Sequence, residues 1–391
     1  MTLSRRTFAF GLAGCAISSL GGCVTGGYQT AGPTTDLVQR GYRPDLNTDE
    51  AGVWLTAEKN EKLLRTSATR IRNPEVNALV ADMMCRLVGE YCPDLRTYVV
   101  RQPIFNAFCS PNGMVQVCTG LLLRCNSESQ LAAVLGHEFG HYLHRHTMQR
   151  IRDDREWQAW TNAMIVLGNS PNVQVLRHNI LQLRRMSYSR DNERESDEVG
   201  FRLMVKAGYD PKAAATIWKN VAEERDAGDI DDDFDAFTAT HPPTDERIET
   251  LTELAKQAKD QGRGASDRLA DAIAPIRGMM MADEINLGHF KQTETVFNRL
   301  IHAGRDVGEV LYYKGELYRR RGKDGDEAMA LGFYHEACEA PGAPPEALRS
   351  VGLMRWRRGE KEQAREYFQR YLAVKPDADD RAMIQSYLVG A

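Results

Sequence analysis

The densest chemistry in the chain is Gly136-His137-Glu138-Phe139-Gly140-His141. On a helix, positions four apart lie one above the other, so His137 and His141 can reach a single ion from one face. Glu138, next to His137, can then reach a ligand of that ion. A second acidic run follows in Ser189-Arg190-Asp191-Asn192-Glu193-Arg194-Glu195-Ser196-Asp197. Glu193 and Asp197 are again four apart, while Glu195 points elsewhere. A catalytic zinc wants three protein ligands and one open position, and His137, His141 and Glu193 supply that number, one zinc per chain. Zinc acidifies water, and Glu138 could take the proton as that water attacks a carbonyl, then return it to the leaving amine. Asp197 would accept a hydrogen bond from a ligand imidazole and fix its tautomer.

These residues need two helices. The first should begin at Ser127 with Gln130 completing a capping box, and Leu131, Val134, Leu135, Phe139 and Tyr142 give it an apolar side. The second should run from Tyr188 to the Gly208-Tyr209-Asp210-Pro211 stop. Upstream, residues 56–89 show helical spacing, with Asn73-Pro74 able to start a second helix. Residues 95–100 read as a strand, and 105–119 as a hairpin turning at Ser110-Pro111-Asn112-Gly113. The strand ending near Thr119 is expected to offer a free edge to an extended peptide. Residues 147–187, between the zinc-bearing helices, could wall or cover the cleft or form two ordinary packing helices.

The combined stretches Asn106-Ala107-Phe108, Pro111-Asn112-Gly113, Thr119-Gly120-Leu121-Leu122, residues 128–141 and residues 189–197 resemble the M48 family of zinc metalloproteases. They most resemble the bacterial periplasmic group with C-terminal tetratricopeptide repeats, over about residues 55–255. The resemblance implies zinc ligation by His137, His141 and Glu193, general-base chemistry at Glu138 and an orienting role for Asp197. It also gives meaning to Thr240-His241-Pro242-Pro243-Thr244-Asp245-Glu246-Arg247. His241 could take the open metal position and keep the enzyme latent, or merely pack. Arg247 could face a developing oxyanion, or pair with Glu246 or another acid. His144 and His146 sit at the wrong register for the same ion and are expected to face solvent or a nearby acid in a helix continuing to Gln149. His178, His289, His302 and His335 read as structural.

From about Glu284 the chain reads all-helical. Residues 312–322 are echoed by 348–359, including Gly315 against Gly352 and Gly322 against Gly359. Ala330, Tyr334 and Ala337, then Ala364, Phe368 and Tyr371, look like the second helices of tetratricopeptide units, a surface for a protein partner. The expected fold class is α+β: a gluzincin-type metalloprotease domain with a small β-sheet, followed by an all-α helical repeat region.

The first residues differ from the rest. Ser4-Arg5-Arg6-Thr7-Phe8, an apolar stretch to Leu20 and a glycine-rich exit describe an export signal resembling the twin-arginine type. Cys15 and Cys23 are both possible lipid acceptors, with Cys23 favoured by the full-length apolar region before it. The expected organisation is export signal 1–22, flexible tether 23–54, protease 55–280 and repeats 281–391. Valine after Cys23 supplies no inner-membrane retention aspartate, which by analogy places a lipid anchor on the inner leaflet of the outer membrane, facing the periplasm. Across 391 residues, 50 basic against 54 acidic side chains leave no field to gather nucleic acid. Of the later cysteines, Cys85/Cys92 and Cys109/Cys118 are plausible disulfides by proximity, against buried free thiols.

Two functions fit. One is a zinc endopeptidase acting on unfolded or misassembled envelope proteins, including those of the outer membrane. The other is a latched or non-catalytic chaperone or adaptor on the same scaffold.

Overall fold

The computed structural model describes residues 37–154, 188–228, 241, 244–259, 262 and 268–389. The export signal, both candidate lipid sites, Pro242-Pro243, His178 and most of the 147–187 excursion lie outside the described residues.

Two helices open the described chain, α1 (Asp49–Thr66) and α2 (Pro74–Val88). Pro74 stands at the first helical position, where its missing N–H is not needed, and Asn73 Oδ1 accepts from Val76 N at 2.9 Å. Helix α1 begins inside the stretch expected as a tether. Val38 is already buried and its N–H donates to the Leu143 carbonyl at 2.9 Å, so the segment before α1 is packed against the chain at Leu143. A turn of 3-10 helix carries Cys92, which is disulfide-bonded to Cys85 at the end of α2.

Three strands follow: β1 (Arg96–Val100), β2 (Ala107–Cys109) and β3 (Met114–Cys118). Strand β3 lies in the centre, parallel to β1 and antiparallel to β2 across the expected turn. This corrects the edge expectation: the strand ending near Thr119 is paired on both sides, and β2 is an outer strand beside it. Cys109 and Cys118 correct the second disulfide. They sit in neighbouring strands as buried free thiols, and burial pushes both well above the usual thiol range.

Helix α3 (Thr119–Arg124) leads to α4 (Glu128–Leu143), which carries both histidines of the motif. Ser127 Oγ accepts from Gln130 N at 3.3 Å, but Gln130 Oε1 reaches Asn126 N at 2.7 Å rather than closing a capping box on Ser127. The helix does not continue to Gln149. Arg145 adopts φ +59° and starts a new helix, α5 (His146–Asp154). Beyond lie α6 (Arg190–Lys206), α7 (Lys212–Ala227) and α8 (Asp245–Gln257).

Helices α4 and α6 cross in backbone contact. A Cβ on Gly140 would stand 2.7 Å from the Ser196 Cα, and one on Gly200 would stand 2.6 Å from the backbone nitrogen of His137. Larger residues would push the two helices, and with them Glu193 and the histidines, apart.

The rest is helical: α9 (Arg268–Leu287), α10 (Phe290–His302), α11 (Val307–Arg321), α12 (Asp326–Glu339), α13 (Glu346–Arg357), α14 (Lys361–Val374) and α15 (Arg381–Val389). The boundary expected at 280/281 falls inside α9, which packs on α2 and α3 as well as on α11. One apolar core runs from Val38 through the sheet to Met354, so the repeat region is joined to the sheet-containing half by a shared interior. The repeat is visible in packing. A Cβ on Gly315 would lie 2.5 Å from the Tyr334 ring, and one on Gly352 would lie 2.6 Å from the Phe368 ring. Gly322 and Gly359 end their helices at φ +63° and +79°. Among the described residues no helix is long and apolar enough to cross a membrane.

Candidate metal centre

Four side chains from three places in the sequence converge. His137 and His141 hang from α4, Glu193 comes from the first turn of α6, and His241 arrives from the stretch before α8; all are buried. One ligand atom from each lies within 4.8 Å of all the others. His137 Nε2 is 3.0 Å from His141 Nε2 and 3.2 Å from His241 Nδ1. Glu193 Oε1 is 3.4 Å from His141 Nε2 and 2.9 Å from His241 Nδ1, and its Oε2 is 3.5 Å from His137 Nε2. Three imidazole nitrogens and a carboxylate converging in this way are the donors zinc prefers.

Glu138 borders the cluster. Its Oε1 is buried without a hydrogen-bond partner, 3.6 Å from His241 Nε2. Burial pushes its carboxyl up to about 7; His241 opposes the rise, Glu193 adds to it, and the backbone N–H of Cys109 in β2 holds it back further. A buried carboxylate with an unused oxygen suits proton exchange near neutral pH.

Charge makes an independent test of fit. Glu138, Glu193 and Asp197 bring three carboxyl groups and Arg247 one guanidinium, leaving an excess of acidic groups in a buried site. A divalent cation balances that remainder. The donor set, the orphaned oxygen and the charge all fit one zinc.

Behind the cluster, Asp197 Oδ1 accepts from His137 Nδ1 at 2.9 Å, and Asp197 also receives a bidentate pair from Arg247 at 2.8 and 2.8 Å. Arg247 Nη1 lies 2.6 Å from Glu193 Oε2. Its guanidinium stacks on Trp218 of α7, 4.3 Å from the ring centroid. Of the two expectations for Arg247, pairing with another acid matches this geometry: Nε, Nη1 and Nη2 are all directed at carboxylates, so it holds Asp197 and Glu193 in place. Glu246, its alternative partner, pairs instead with Arg194 at 2.6 Å.

The two histidines set aside from the sequence divide. His144 is partly exposed, 3.4 Å from Glu195. His146 does not face solvent; it is 1% exposed and touches His141. The backbone reversal at Arg145 turns it back under α4, and nothing in the residue types announces that turn. Tyr188, whose ring stacks on His141 with centroids 3.9 Å apart, and Trp218 were equally unmarked. Among the described residues, His335 bonds to Arg355 and Tyr367, and neither it nor His289 or His302 belongs to a group able to hold a metal.

Comparison with known proteins agrees with this geometry. Residues 70–255 match the model of Peptidase family M48, a stretch that contains the whole cluster. The chain is similar to the mitochondrial metalloendopeptidase OMA1 of Arabidopsis thaliana, 36% identical over 155 residues, 40% of this chain and 30% of that protein. It is also similar to the beta-barrel assembly-enhancing protease of Yersinia pestis, 26% identical over 290 residues, 68% of this chain and 58% of that protein. With the Escherichia coli protein of the same name the identity is 24% over 256 residues, 60% of this chain and 52% of that protein. The chain thus spans roughly a third to just over half of the length of these relatives.

Proposed function

We propose that the chain is a zinc-dependent endopeptidase that cleaves unfolded or misassembled proteins of the bacterial cell envelope. The observation that carries this reading is the convergence of four ligand atoms beside a buried carboxylate whose Oε1 has no hydrogen-bond partner. Under it, His137, His141 and Glu193 hold the metal, and zinc bound there supplies a Lewis acid for the scissile carbonyl and acidifies water. Glu138 accepts a proton and returns it to the leaving amine. Asp197 keeps the Nδ1 proton of His137 in place, and Arg247 fixes Asp197. A purely structural site would have no use for Glu138, which favours the enzyme over the adaptor.

His241 in the fourth position makes the described arrangement a latched one. Its displacement would admit water and substrate. Substrate backbone would pair with the outer strand β2, whose Cys109 N–H already touches Glu138. The helical repeats would dock a protein partner. Residues 1–22 would export the chain and a lipid on Cys23 or Cys15 would tether it to the inner leaflet of the outer membrane.

The test is zinc content and cleavage of an unfolded reporter protein, with and without chelator. Wild type should bind one zinc, and Glu138→Gln should keep it while losing about 10²–10⁴ in rate, the usual contribution of a general base. His241→Ala should raise basal cleavage if it is the latch. Absence of zinc, or a fully active Glu138→Gln, would overturn the proposal.

A further inference from the structure

We infer that His146 and Glu195 form a hydrogen-bond relay that positions the zinc ligand His141, as Asp197 positions His137. The inference rests on the metal-ligand reading above.

Both motif histidines turn Nε2 toward the cluster. A neutral imidazole that binds metal through Nε2 carries its proton on Nδ1 and needs an acceptor there. His137 finds a carboxylate. His141 Nδ1 instead faces His146 Nδ1 at 3.0 Å. His146 must therefore present a lone pair at Nδ1 and carry its own proton on Nε2, and that nitrogen is 3.0 Å from Glu195 Oε2. The chain is complete and its donors alternate correctly: His141 donates to His146, and His146 donates to Glu195.

The fold builds the relay at a specific place. Arg145 at φ +59° breaks α4 from α5 and turns the His146 ring under His141. Ser196, whose Oγ is 3.3 Å from His146 Nδ1, lies where α6 touches α4, and its neighbour Glu195 closes the chain from the half-exposed side of that helix.

His144, His146 and Glu195 also form a second group close enough to hold a metal. The relay argues against filling it together with the first. A cation on His146 Nε2 would drive that ring's proton to Nδ1 and set two N–H groups face to face across 3.0 Å. One zinc per chain is the consequence, with the second group serving as an orienting acceptor.

The experiment compares the zinc-loaded full chain with His146→Leu, His146→Asn and Glu195→Ala. Zinc affinity is read by competition with a chelating dye, and the His141 proton position by ¹⁵N NMR on histidine-labelled protein. His146→Leu should weaken zinc binding about 10–100-fold, the usual effect of losing a ligand's orienting partner. His146→Asn, whose amide oxygen can accept the same proton, should recover most of that loss. Glu195→Ala, at a half-exposed position where packing is little disturbed, should fall between. In wild type the proton should reside on Nδ1 of His141. Melting of the metal-free proteins separates misfolding from lost orientation.

Wild-type zinc affinity in both His146→Leu and Glu195→Ala, or no recovery in His146→Asn at unchanged melting, would overturn the relay and leave the metal centre standing. Two zinc ions per chain, the second lost in His144→Ala, would also overturn it. A wild type that binds no zinc overturns the metal-ligand reading and the relay with it.

Discussion

Two buried charged clusters among the described residues differ in whether they are closed. Around Arg124 of α3, Nε donates to Glu224 at 2.6 Å, Nη2 to Glu284 at 2.7 Å, and Nη1 to Glu284 at 3.0 Å and to the Gly120 carbonyl at 3.2 Å. The other oxygen of Glu224 accepts from Arg299 at 2.6 Å. Two cations face two anions, and none of their side-chain polar atoms is orphaned. Around His137 the count is unequal: three carboxylates to one guanidinium, with Glu138 Oε1 left unbonded. A closed network ties elements together, here α3 to α7, α9 and α10. An open one is held ready for something the chain does not itself contain.

The comparison can be broken from the closed side. Arg124→Leu leaves the buried Glu284 without its guanidinium while Glu224 keeps only Arg299, and removing one partner of such a network typically costs about 3–5 kcal/mol. Urea unfolding should show that loss, while the folded fraction still binds one zinc. Loss of zinc with unchanged stability would reverse the roles assigned to the two clusters.

A smaller effect should sharpen the open side. Gly140→Ala forces α4 from Ser196 and should cost about 1–3 kcal/mol by overpacking, with weaker zinc binding. Gly332→Ala is the control, since Gly332 sits in a helix with nothing within 4 Å of a new Cβ. It should be neutral or stabilise by up to about 1 kcal/mol. Equal effects of the two substitutions would remove the argument from helix approach.

The smallest effect is confined to acid. Glu61 is a further buried carboxylate, and it is closed: burial would raise it, but hydrogen bonds from Arg96, Tyr98 and Arg65 bring it down to about 2 from an ordinary 4.5. A depressed carboxyl stabilises fully above its unfolded value and loses that contribution as pH falls from about 4.5 toward 2. Glu61→Gln should therefore flatten the pH dependence of melting in that window. An unchanged slope would show that Glu61 is not the group responsible. The contrast with Glu138, raised to about 7, comes from the side-chain hydrogen bonds that Glu61 accepts and Glu138 Oε1 lacks.

Much of the candidate site was legible because helical spacing is local. His137 and His141 share a face by periodicity alone, and Glu193 with Asp197 does the same on α6. The hairpin was legible from Ser110-Pro111-Asn112-Gly113, and the repeats from the Gly315/Gly352 echo. What misled was long-range. Arg247 offered no sign that its nitrogens would meet Glu193 and Asp197. His146 was rightly set aside as a ligand of that ion and does meet an acid, Glu195, but its contact with His141 was missed because the count assumed an unbroken helix, and the left-handed Arg145 carries no glycine to announce the turn. Cys109 and Cys118 are close in sequence yet lie in neighbouring strands as separate buried thiols. The tether ends early because Val38 finds a partner in Leu143, about a hundred residues away.

The sequence by itself determined which groups can do chemistry and which elements carry them, since residue type and periodicity act over a few residues. Only the tertiary structure decided which of them meet: Gly136, Gly140 and Gly200 let two helices touch, and that approach brings Glu193 to the histidines. Whether a buried charge is closed or left open depends on partners far away in the chain, and no local pattern encodes that distance.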